Sequence, residues 1–149
     1  MADIKIPLPK MILEQPPVFR FDKTRDRYML IEHTPIEGSP ALILDTFLCE
    51  GESNVVGHTM LRRGKEGAKE RGAGAGQLHA ERMIEQQDKI PVEWQDFYLV
   101  FIGTVWCGPD GDLCVPYLYY DDDGWHLDWR WLDYDWGLND DDRLVRISK

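Results

Sequence analysis

With 149 residues the chain has the size of one ordinary domain over 1–149, large enough to bury a core without disulfide or metal staples. Its 27 acidic and 17 basic residues leave a net charge of -10, which disfavours direct binding to nucleic-acid phosphates or anionic lipid and points to a basic protein surface as partner. Cys49, Cys107 and Cys114 are too few, and odd in number, for the framework of a small secreted domain. The start MADIKIPLPK lacks the apolar run of a signal peptide, and the most apolar window, 97–107, is far short of a membrane span, so a cytoplasmic location is expected.

In chain order, Pro7, Pro9, Pro16 and Pro17 predict an extended, proline-rich arm over 1–20. Residues 27–32 (RYMLIE) read as a short strand, and 41–49 (ALILDTFLC) as an apolar run, strand favoured over helix. Glycines at 64, 67, 72, 74 and 76 among Lys65, Lys69 and Arg71 predict a flexible, basic loop over 62–76. It lacks the spacing of a phosphate-binding loop. Residues 77–89 (QLHAERMIEQQDK) contain neither Gly nor Pro, place Ala80, Met83 and Ile84 on one face, and end before Pro91, which predicts the main helix.

The last third alternates aromatic and branched residues with GPDG, DDDG and GLNDDD, which predicts four strands at 97–107, 112–121, 125–136 and 143–147. The expected fold class is therefore α+β: a four-stranded antiparallel meander packed against the helix at about 77–89, with an irregular N-terminal segment. Three-residue loops at both hairpins set Cys107 opposite Leu113 and Tyr119 opposite Leu127. This groups Leu99, Phe101, Val105, Val115, Tyr117, Leu127 and Trp129 as the predicted core face. The helix would cover the apolar end of the other face, at Val100 and Ile102. A phase change after Trp131 predicts a bulge, and Pro116 is awkward in an inner strand.

His79-Ala80-Glu81, followed by Cys107 and Cys114, resembles the zinc-dependent nucleobase and nucleoside deaminases. The resemblance implies zinc held by His79, Cys107 and Cys114, with Glu81 as the acid/base acting on a bound water. It extends to those positions alone: six residues separate the cysteines where the family has Pro-Cys-x-x-Cys, and no proline precedes either one. Register decides whether the thiols can meet, because the three-residue loop sends them to opposite faces and a two-residue loop makes them direct partners.

The acids are unevenly placed, with nine Asp and one Arg between residues 121 and 142. The leading expectation is a small non-enzymatic binding protein, without a cofactor, that meets a basic partner through an acidic, aromatic sheet edge. Its predicted contacts are Asp121, Asp122, Asp123, Asp128, Asp133, Asp135 and Trp136, in one version as a mimic of nucleic-acid phosphates. A zinc hydrolase built on His79 and Glu81 is the alternative.

Overall fold

The computed structural model describes residues 17–149 as a mixed α+β fold built on a seven-stranded, mostly antiparallel sheet. The arm expected over 1–20 lies outside the described residues as far as residue 16. The central strand is β6 (Leu113–Asp121), antiparallel to β7 (Gly124–Trp131) along one side. Its other side is shared by β4 (Tyr98–Val100) and β5 (Val105–Cys107). Beyond β5 lies β1 (Met29–Glu32). Beyond β4 lie β9 (Asp142–Ile147), which runs parallel to it, and then β2 (Leu42–Asp45).

This arrangement replaces the expected four-stranded meander. The run at 97–107 is two strands broken at 101–104. Leu99 pairs with Leu118 and Val100 with Tyr117, whereas Trp106 pairs with Cys114 and Cys107 with Leu113. The offset changes parity across the break. Pro116 supplies a physical reason, since Phe101 N–H donates to its carbonyl and the proline ring has no N–H to return. The last strand joins β4 rather than β7, because a turn after Trp131 leads to β8 (Asp135–Trp136), which pairs with β3 (Val55–Val56) in a separate two-stranded ladder. The expected bulge at Trp131 is therefore the end of a strand.

At the first hairpin Cys107 faces Leu113, as its Pro-Asp-Gly turn predicts, with Gly111 in the left-handed region at φ 87°. At the second, Tyr119 faces His126 and Asp121 faces Gly124, one residue away from the expected register. That single step moves Leu127 and Trp129 to the opposite face from Val115 and Tyr117. The predicted core face is thus divided between the two sides of the sheet, with Trp129 in a third cluster around Phe19, Trp106 and Cys114.

On one side, Val100, Ile102, Val105, Val115, Leu132 and Trp136 pack on Met60 of α1 (Gly57–Glu66). On the other, Leu99, Phe101, Leu118, Trp125 and Val145 pack on Ala80 of α3 (Gln77–Glu85). The main helix thus covers the Leu99 face, opposite to the one expected.

Between these helices lies one turn, α2 (Ala68–Arg71). The loop reading of 62–76 is corrected, because its first residues belong to α1, two of whose glycines, Gly57 and Gly64, serve close packing. A Cβ on Gly57 would stand 2.6 Å from the Leu132 backbone, and one on Gly64 would stand 2.2 Å from Ile102 Cδ1. Burial of Met60 then outweighs the modest cost of glycine in a helix, about 1 kcal/mol each. Residues 72–76 run between β9 and the 101–104 break. Ala75 N–H donates to Val145 O, Gly103 N–H to Ala75 O and Ile147 N–H to Ala73 O.

Candidate functional site

Three groups of residues are candidates: the start of α3, the two cysteines and the acidic residues around β7. At the start of α3, Gly76 is the N-cap and His79 the third helical residue. The His79 ring turns back so that its Nδ1 accepts the Gly76 N–H at 3.0 Å, which is half of a capping box with imidazole in the usual Glu position. The ring is 3% exposed, and burial holds its pKa below the ordinary value of 6.5, so it is neutral near pH 7. A neutral imidazole that accepts at Nδ1 carries its proton on Nε2. That Nε2–H is buried without a hydrogen-bond partner among the described residues, which costs about 1–3 kcal/mol when nothing answers it.

Glu81 points elsewhere. Its carboxylate accepts from the backbone N–H groups of Arg20 and Phe21 at 2.9 and 3.0 Å and from Gln77 Nε2 at 3.0 Å. Gln77 in turn donates to Phe21 O and accepts the indole N–H of Trp106 at 2.8 Å. Glu81 therefore pins the chain before β1 onto the helix, through bonds of the charge-assisted class. His79 and Glu81, two residues apart, leave the helix in different directions and share no reacting atom.

The cysteines stand diagonally across the first hairpin. Trp106, not Cys107, is the direct partner of Cys114, so alternation along the strands sends the two thiols to opposite faces of the sheet. Cys114 is buried, and that burial pushes its thiol up to about 11. Among the described residues no group of three His, Cys, Asp or Glu side chains is placed to hold a metal. The ligand set implied by the deaminase resemblance, His79, Cys107 and Cys114 with Glu81 beside them, is not brought together.

The acidic residues ring β7. Asp121, Asp122 and Asp123 form the tip of its hairpin, Asp128 lies on the strand, and Asp133 and Asp135 follow its end. All six are exposed. Asp121 accepts from the Asp123 N–H and pairs with His126 Nε2 at 2.7 Å, which together hold its carboxyl below the usual range. Asp133 pairs with His58 at 2.8 Å. Asp122, Asp123, Asp128 and Asp135 have no lysine or arginine side-chain partner among the described residues.

Four bases of the 62–71 segment pair with other acids: Arg62 with Glu66, Arg63 with Glu52, Lys65 with Glu32 and Arg71 with Asp45.

Trp136 is the exception among the predicted contacts. It is fully buried against Leu132 and Tyr117, its indole N–H donates to Trp131 O, and the guanidinium of Arg130 stacks on its ring. The two-residue return through β8 turns it inward, so it belongs to the core. The exposed aromatics of this rim are Tyr120 and Tyr134, 41% and 60% exposed, which sequence reasoning passed over. Their signal was adjacency to acids at positions where the two neighbouring tryptophans, Trp125 and Trp136, are buried. Asp142, also in the acidic stretch, is turned inward as well. It accepts the Gly137 N–H, and burial raises its carboxyl above the ordinary range. No helix among the described residues is long and apolar enough to cross a membrane. Comparison with protein-family models, curated proteins and solved structures finds no match for this chain.

Proposed function

We propose that this chain is a small acidic binding protein that engages a basic protein surface along β7 and the turns at its two ends. The observation that carries this reading is the row of exposed carboxylates on Asp122, Asp123, Asp128 and Asp135, which have no lysine or arginine side-chain partner among the described residues, while Arg130 on the same strand turns to Asp142 and Trp136. Charges of one sign on such a rim steer an oppositely charged partner and are screened within a Debye length of about 8 Å at physiological salt. Tyr120 and Tyr134 add amphipathic contact area beside them.

The strand itself pairs only with β6 among the described residues. Its outward N–H groups are partly answered, since Trp125 N–H donates to Gln87 Oε1 and Trp129 N–H to Asp128 Oδ1. Side chains rather than an added strand are therefore what the edge offers a partner. The same array suits mimicry of nucleic-acid phosphates toward a DNA- or RNA-binding protein.

A lysine- and arginine-rich peptide tests the reading. The wild-type chain is expected to bind it with affinity that falls steeply with salt, and the combined Asp122→Asn, Asp123→Asn, Asp128→Asn and Asp135→Asn variant is expected to lose that binding. Equal binding by the variant at low and high salt overturns the proposal. Competition between this protein and a DNA duplex for a DNA-binding domain tests the mimicry.

A further inference from the structure

A pocket of about 430 Å³ opens between α3 and the segment leading into β2, with Leu42, Met83, Ile90 and Trp94 in its apolar wall. This lies within the range of small-molecule sites, roughly 300–1,000 Å³. Arg82, Lys89 and His79 also line it, and no carboxylate among the described residues does. Such a lining is unusual in a chain whose acids outnumber its bases 27 to 17. Neither Arg82 nor Lys89 forms an ion pair among the described residues, and the one hydrogen bond of the Arg82 side chain is a long one, 3.3 Å, to Gly38 O.

His79 supplies the independent observation. Its Nδ1 is occupied by the Gly76 N–H, so Nε2 must be the donor, and in this side chain, which lines the pocket, that donor is buried with no acceptor among the described residues. Each part of the lining excludes a ligand class. A free inorganic anion leaves the apolar wall uncovered. A neutral hydrocarbon leaves the buried donor unanswered and gains nothing from Arg82 and Lys89, and a cation is repelled.

We propose that this pocket binds a small organic acid, its carboxylate held by Arg82, Lys89 and the Nε2–H of His79 and its apolar body laid against Met83, Ile90 and Trp94. Guanidinium and carboxylate suit each other in geometry as well as charge. The site uses none of the carboxylates around β7, so this proposal and the acidic-rim reading can fail independently.

Octanoate, octanamide and octylamine, titrated into the full chain and followed by NMR at the Trp94 indole and the His79 ring, form the test. Octanoate is expected to give saturable shifts at both residues below roughly 10 mM, the range that ligand efficiency sets for about ten heavy atoms. Octanamide is expected to bind about tenfold more weakly, for want of the charge-assisted bonds, and octylamine not at all. The Arg82→Gln, Lys89→Gln variant is expected to weaken octanoate about tenfold at unchanged Tm. Absence of saturable shifts, equal binding of octanoate and octanamide, or full affinity in the variant each overturns the proposal. So does finding Nε2 of His79 bonded to a water that octanoate leaves undisturbed.

Discussion

The glycine-rich basic segment at 64–76 and the acidic turn at 121–124 look alike as sequence, since both are short, charged and punctuated by glycine. Their environments are opposite. The first becomes helical turns and then a stretch in which Gly72, Ala75 and Gly76 are buried against β9 and the 101–104 break, and the second is an exposed hairpin tip. Glycine marks either a backbone that must bend or a backbone that another chain segment must approach closely. At 124 it bends, with φ 107°, and at 74 it is approached, with Ile102 Cγ1 2.5 Å from where a Cβ would sit. Charge content discriminates no better, because ion pairs to Glu52, Glu32 and Asp45 let basic residues sit on a packed element.

The contrast between packed and exposed segments sets the order of expected effects. Trp136→Ala, within the acidic stretch but inside the core, is expected to destabilise by about 3–5 kcal/mol in chemical denaturation. A value near zero would return Trp136 to the exposed rim. Gly103→Ala is expected to cost about 3 kcal/mol, because its Cβ would lie 2.5 Å from Gly74 O, a backbone atom of the buried stretch. Gly111→Ala, at φ 87° with nothing within 4 Å, bears only conformational strain of about 1 kcal/mol. Equal costs at the two glycines would mean that 72–76 does not pack as described.

His79 gives the pH dependence. Its folded pKa is depressed by burial below 6.5, so the unfolded chain takes up the proton first. Stability from this group is fully present above about pH 6.5 and is lost as pH falls toward the lower folded value. His33 acts in the same direction for the same cause. Tm is therefore expected to fall from about pH 7 to about pH 5, and His79→Gln, whose amide oxygen can still take the Gly76 N–H, is expected to flatten that slope. The smallest effect on stability belongs to the exposed tip. Asp122→Asn with Asp123→Asn is expected to move unfolding free energy by no more than about 0.5 kcal/mol. A larger loss would assign those carboxylates to the fold.

Several elements were legible because their determinants are local. The helix at Gln77–Glu85 follows from good helix formers ahead of Pro91, and the first hairpin from Pro109-Asp110-Gly111, whose glycine suits the left-handed position of a three-residue loop. DDDG tolerates two loop lengths, so the second register was chosen by packing. Leu127 and Trp129 turn toward α3, and His126 and Asp128 turn away. The start of α3 was legible as a pair of residue types, His79 and Glu81. Their roles, an N-cap partner and an anchor for the Arg20 and Phe21 N–H groups, depend on segments up to 61 residues away in sequence.

By itself, then, the sequence determined what short-range energetics decide: the α+β class, the main helix, the strand segments of the last third and the placing of carboxylates at turns, where desolvation would be costly. Only the tertiary structure decided partners and sides: the parallel pairing of β9 with β4, the parity change at 101–104, and the burial of Trp136, Glu81, Gly72, Ala75 and Gly76. The physical reason is that one residue of register inverts every side chain of a strand at little local cost, while the burial it gains or loses is shared with segments the local sequence does not contain.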